Sequence, residues 1–67
     1  MVVKIIELVG VSAIGYEDAI STAVERASKT IKDITGVDVL GQSAKVVGGK
    51  VTEFRANIKI AFVVEEE

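Results

Sequence analysis

The chain has 67 residues, and its eight Lys and Arg against ten Asp and Glu leave a net charge of −2. Three of those acids are the terminal Glu65, Glu66 and Glu67, so the body is close to neutral, without the basic face of a nucleic-acid module. It holds no Cys, His or Pro, which excludes disulfides, thiolate metal sites, imidazole bases and the N-terminal-proline chemistry of small tautomerases.

The length allows one domain, expected to span residues 1–67. Hydrophobic residues are 49% of the chain and the mean hydropathy is +0.45. A chain this small buries only about 60% of its unfolded surface and needs a staple. Without Cys or His, the expected staple is self-association. The opening residues lack the basic and apolar regions of a signal peptide. The longest apolar run, Ile60 to Val64, is far shorter than the ~20 residues of a spanning helix. The expected location is the cytoplasm, with no membrane and no nucleic-acid partner.

In chain order, Val2 to Val9 comes first. Val3, Ile5 and Val9 fall on one face, and Val2, Ile6 and Leu8 on the other with Lys4. A strand apolar on both faces is expected to be covered on both, the second time by another subunit. From Tyr16 to Ile34 the period changes. Tyr16, Ala19, Ile20, Ala23, Val24, Ala27, Ile31 and Ile34 make the stripe of an amphipathic helix of about five turns. Glu25 and Lys29 form an i,i+4 pair in the favourable order. Ser12 is the expected N-cap and Gly36 the expected C-terminal stop. The alanines on the stripe allow helix and sheet to approach closely.

Two long strands follow, Val37 to Val47 and Val51 to about Val64, joined by Val47-Gly48-Gly49-Lys50, whose glycines supply the positive φ of a two-residue hairpin turn. In the last strand Phe54, Ala56, Ile58, Ile60, Phe62 and Val64 form the row expected to pack on the helix. Glu53, Arg55, Asn57 and Lys59 alternate with them and face elsewhere. The fold class is α+β, with a β-α-β-β subunit whose three-stranded antiparallel sheet is partly wrapped around one helix.

Little here serves catalysis, and no enzyme is expected. Glu7, Asp38 and Glu53 are acids within reach of one sheet, but charged strand residues are usually a solvated or salt-bridged face. Gly48-Gly49-Lys50 lacks the spacing of a phosphate loop. Lys45, Lys50, Arg55 and Lys59 give the hairpin a basic patch for phosphate or a flavin nucleotide, or else cross-strand ion pairs with Glu53 and Asp38. An oxygen-only cation site assembled across subunits from Asp38, Glu53 or the Glu65–Glu67 tail is the remaining alternative. No EF-hand loop is present.

The blocks Val3-Lys4-Ile5-Ile6-Glu7-Leu8-Val9-Gly10-Val11-Ser12, Glu17-Asp18-Ala19-Ile20, Ala23 to Thr30 and Phe54-Arg55-Ala56-Asn57-Ile58-Lys59-Ile60-Ala61-Phe62 carry a resemblance to the dodecins. It covers nearly the whole chain. The resemblance implies a hollow homododecamer that binds flavins in pairs at subunit interfaces and stores them. In flavin-binding members a tryptophan just before the second strand stacks on the isoalloxazine ring, and a glutamine on the last strand hydrogen-bonds its polar edge. The matching positions here are Gly36 and Arg55. Gly36 offers no ring, and a guanidinium donates but does not accept. The chain thus resembles the subgroup lacking the flavin-stacking Trp. The ligand-contacting residues expected from the match are Gly36, Val37, Asp38, Lys45 and Arg55. The expected ligand is a flavin (riboflavin or FMN). The alternatives are a calcium- or small-anion-binding shell, its metal-ligating residues unassigned, or a scaffold with no small ligand.

Overall fold

The computed structural model describes residues 1–64. Four elements follow in the order β1 (Val2–Ser12), α1 (Tyr16–Ser28), β2 (Ile34–Val47) and β3 (Lys50–Val64). The strands form one antiparallel sheet in the order β1-β3-β2, and α1 lies across β1 and β3. The β-α-β-β fold class expected from the sequence is the one observed.

The core follows the alternation of β3. Ala56, Ile58 and Ile60 are fully buried, together with Ala19 of the helix. Ile6, Leu8, Ile20, Ala23, Val24, Ala27 and Ile34 pack around them. Helix and sheet meet most closely at Gly10. A Cβ on Gly10 would run into the Ala19 carbonyl oxygen and sit 3.1 Å from the Ala23 Cβ. The helix therefore rests on bare strand backbone, with alanines opposite.

The helix start is built differently from the expectation. Ser12 is not the N-cap; Gly15 holds that position and makes no side-chain cap. The Ser12 hydroxyl instead accepts the amides of Ile14 at 2.9 Å and Gly15 at 3.3 Å. It donates to the Asp18 carboxylate at 2.7 Å. One buried serine thus ties the end of β1 to the first helical turn.

The helix end is a correction. The stripe predicts a helix to Ile34, but α1 stops at Ser28 after 13 residues. Hydroxyls unwind its end: Ser28 Oγ donates to the Glu25 carbonyl at 2.7 Å, and Thr30 Oγ1 to that of Ala27 at 3.5 Å. Asp33 then takes a left-handed φ of 62°, a conformation an Asp side chain tolerates, and turns the chain into β2. Ile34 is a strand residue. Gly36 is not a helix stop but the third residue of β2. The other strand limits also move outward, β1 running on to Ser12 and β3 beginning at Lys50.

The Gly48-Gly49 turn is as expected, with φ of 57° and 77°. Beyond the helix, β2 and β3 continue as a two-stranded arm, and the described chain measures 54 × 20 × 13 Å. Val46, Val47 and Val51 at its tip are exposed.

Two stability predictions follow from the helix seat. Gly10→Ala forces the helix off the sheet and is expected to cost about 2–3 kcal/mol, read as a lower melting temperature at fixed protein concentration. Ser12→Ala removes three hydrogen bonds at a buried site. Its expected cost is about 1–2 kcal/mol by denaturant titration, with Ser12→Thr losing less.

Candidate functional site

Because side chains alternate, the sheet face turned away from α1 is set by register. On β1 it carries Val3, Ile5, Glu7, Val9 and Val11. On β3 it carries Glu53, Arg55, Asn57, Lys59, Ala61 and Val63, and on β2 Gly36, Asp38, Gly41, Ser43 and Lys45. No element of the described residues covers it. Ile5 is 56% exposed and Val9 58% exposed. The face is striped: a β1 row apolar except for Glu7, a β3 row polar from Glu53 to Lys59, and a row of small and charged residues on β2.

Of the five expected ligand-contacting residues, Gly36, Asp38, Lys45 and Arg55 share this face. Val37 pairs with Ile60 of the core row and belongs to the helix side, although it borders the same depression as its neighbours.

The residues divide between two shallow depressions. The first, about 210 Å³, is lined by Ile5, Gly36, Val37, Asp38, Lys59 and Ala61. The second, about 320 Å³, is lined by Ser43, Ala44, Lys45 and Arg55. Lys59 and Arg55 lie four residues apart on β3, roughly 13 Å, so one small ligand does not touch both sets within a single chain. Ile5, Lys59 and Ala61 line the first depression but are not among the five expected ligand-contacting residues; Lys59, expected only in the hairpin's basic patch, is the charged one and lies beside Asp38. Its cross-strand pairing with Asp38, an i-to-j match in the hairpin register, is the signal that finds it.

The charges are arranged in two groups. Arg55 Nη2 lies 2.9 Å from Glu53 Oε2, and its Nε donates to the same oxygen at 3.0 Å. This is the only ion pair among the described residues, and it runs along β3 rather than across strands. Lys59 stands between Glu7 on β1 and Asp38 on β2, within pairing rows but with neither as an ion-pair partner. Glu53 is six residues from Lys59 on β3, roughly 20 Å, so Glu7, Asp38 and Glu53 do not converge. Among the described residues no group of three acidic side chains is placed to hold a metal ion. The expected contribution of Glu65–Glu67 to a cation site lies outside the described residues.

The aromatic inventory stays on the other side. Tyr16 packs edge-on against Phe54 with ring centroids 5.1 Å apart, on the helix side of the sheet. At Gly36 the uncovered face has open space: a Cβ there meets nothing within 4 Å, and the backbone is not left-handed. Among the described residues no helix is long and apolar enough to cross a membrane.

Comparison with known proteins places this geometry. The family model described as Dodecin matches residues 2–65. No curated protein matches the chain. Among solved structures, dodecin from Streptomyces coelicolor is 29% identical with a TM-score of 0.95, covering 98% of this chain and 94% of that one. A protein from Thermus thermophilus is 33% identical with a TM-score of 0.93, covering 98% and 97%. The calcium-chelating immunodominant antigen of Mycobacterium tuberculosis, described as calcium dodecin with a novel calcium-binding site, is 30% identical with a TM-score of 0.85, covering 97% and 93%. Element order, sheet topology and a match over nearly the whole chain agree: the chain belongs to the dodecin family.

Proposed function

We propose that this chain is the subunit of a homododecamer that binds and stores a small ligand on the uncovered face of its sheet and does no chemistry on it. The observation that carries the reading is the imbalance of apolar surface. Only Ala19, Ala56, Ile58 and Ile60 form the buried apolar core, while thirteen large hydrophobic residues are exposed among the described residues. Exposure on that scale marks surfaces made for another copy. A ligand face with one apolar row and one polar row suits a flat, partly polar molecule.

The flavin form of the proposal meets two misfits. The stacking tryptophan that the family resemblance implies is replaced by the open space at Gly36. Arg55, in place of the expected glutamine, is engaged by Glu53. A flavin here rests on the β1 and β3 rows and on a neighbouring subunit, without an aromatic platform from Gly36. Calcium is the second reading, favoured by the likeness to the Mycobacterium tuberculosis calcium dodecin. Asp38 and Glu53 lie too far apart to share an ion within one chain, so such a site joins carboxylates of different subunits.

The test starts with light scattering on the purified, ligand-stripped protein. Twelve subunits of 7.1 kDa give about 85 kDa; a monomer mass overturns the assembly. Riboflavin and FMN are then titrated by fluorescence quenching, and calcium by calorimetry. Saturable quenching supports flavin storage, and calcium heat without quenching moves the ligand to the second reading. Silence in all three titrations overturns both ligand readings and leaves the shell as a scaffold.

The open position also predicts a gain of function. A Cβ at position 36 meets nothing within 4 Å and needs no left-handed φ, so Gly36→Trp starts without backbone strain, and Arg55→Gln restores an amide that both donates and accepts. The double variant is expected to bind riboflavin at least about tenfold more tightly than the parent, the scale of a new aromatic stack. Unchanged quenching in a variant that keeps its assembly mass overturns the assignment of Gly36 and Arg55 to the ligand face.

A further inference from the structure

Two apolar features of the fold have no partner within the chain. The first is the distal arm. A two-stranded ribbon is marginally stable at best without something to pack on, and hairpin turns are normally polar. Here Val46 and Val51 are directly opposed across the hairpin, Val47 stands next to the turn, and all three are exposed. The second is a groove of about 460 Å³ between α1 and β1. Its walls are Ile6, Leu8 and Gly10 on the strand, and Ala23, Ala27 and Ile31 from the helix and the turn after it. The alanines that let the helix sit on Gly10 are too small to fill the space beside it. Val9 and Val11 line the groove as well, from the other face of the strand. It therefore opens around the edge of β1 that pairs with no strand among the described residues, and an unblunted apolar edge invites a second chain.

The surface area gives the size of what is missing. The chain exposes 4888 Å², whereas a compact monomer of 7.1 kDa exposes about 4,100 Å². The excess of about 800 Å² is the share that one partner contributes to an interface of standard size.

We infer that the arm tip of one copy, with Val46, Val47 and Val51, fills the groove between α1 and β1 of the next copy. This names a contact behind the proposed assembly and rests on that reading. Tip and groove are different patches, so each copy gives an arm to one neighbour and receives an arm, and the contacts close into a ring. One contact thus covers both unpartnered features. The competing occupant of the groove is an anionic amphiphile at Arg26, the one charged residue in its lining, which has no ion-pair partner among the described residues. That occupant leaves the arm bare.

The experiment uses the full chain in its assembled form. The chain has no Cys, so introduced thiols are the only ones. Val47→Cys at the tip is combined with Thr22→Cys or with Thr30→Cys, two exposed positions lining the groove and roughly 12 Å apart along it. These exchanges are close in volume, and the parent's assembly mass is expected to be kept. A short bismaleimide is expected to link at least one double variant into covalent multimers on a denaturing gel, the longest giving the number of copies in the ring. Each single variant is expected to stay unlinked. An assembled protein in which neither double variant links overturns the inference and leaves the assembly standing. Links in Val47→Cys alone mean that tips meet tips, and overturn it too. A parent of monomer mass overturns the inference together with the proposed assembly. Decanoate, titrated into the parent by calorimetry, is expected to give no heat because the groove is filled. Saturable heat that Arg26→Gln abolishes shows the groove open to an anionic amphiphile and overturns the inference.

Discussion

The contact between the Gly10 backbone and the carbonyl of Ala19 sets the geometry of the rest. It lets a short helix sit directly on the strands, so that alanines are enough to fill the interface. The same closeness limits what the helix can cover. With only 13 residues resting on β1 and β3, α1 cannot shield a sheet whose hairpin strands are 14 and 15 residues long. The distal arm and the whole outer face are consequences of that seat. Ser12 reinforces it by fixing the angle at which the chain leaves β1, its hydroxyl engaged with Ile14, Gly15 and Asp18 together.

The small core and the open face are one fact seen twice. Ile58 and Ile60 are the largest side chains fully buried. Two isoleucines and two alanines supply little burial for a chain that must also order an extended arm. Apart from Glu7, the outer β1 row of Val3, Ile5, Val9 and Val11 is apolar but has no core above it. In the proposed function such a chain gains its stability from association, and the surface left between associated copies is where a ligand shared by subunits sits. Assembly and binding are therefore coupled through the same residues in the proposed function.

Much of this was legible before any coordinates. The period-2 rows of β3, the period change at Tyr16 and the glycine pair at the turn sufficed for the topology, because each is a strong local signal. The helix end was not legible. Ile31 and Ile34 continue the helical spacing, yet the hydroxyls of Ser28 and Thr30 turn back onto the Glu25 and Ala27 carbonyls and favour unwinding, and a stripe of apolar residues does not record that competition. Gly36 misled for the same reason: a glycine near a helix end reads as a stop, whereas here it lies inside a strand.

Face membership in β2 was the least legible property, and the candidate site depends on it. Counted straight back from the Gly48-Gly49 turn, Asp38 falls opposite Lys59, which is correct. The same count puts Lys45 opposite Thr52 and hence on the helix side, which is not. An extra residue on β3 near the turn shifts the pairing so that Lys45 meets Glu53 and Ser43 meets Arg55. A second irregularity, between Val39 and Gly41, inserts Leu40 on β2 and restores the original count. The two bulges cancel for Asp38 but not for the segment between them. They bring even-numbered Gly36 and Asp38 and odd-numbered Gly41, Ser43 and Lys45 onto one face of a single strand. Without them, either the Gly36–Asp38 end or the Lys45 end would face the helix. A continuous outer row from Gly36 to Lys45 is thus made by irregular pairing, which no alternation of residue types reveals.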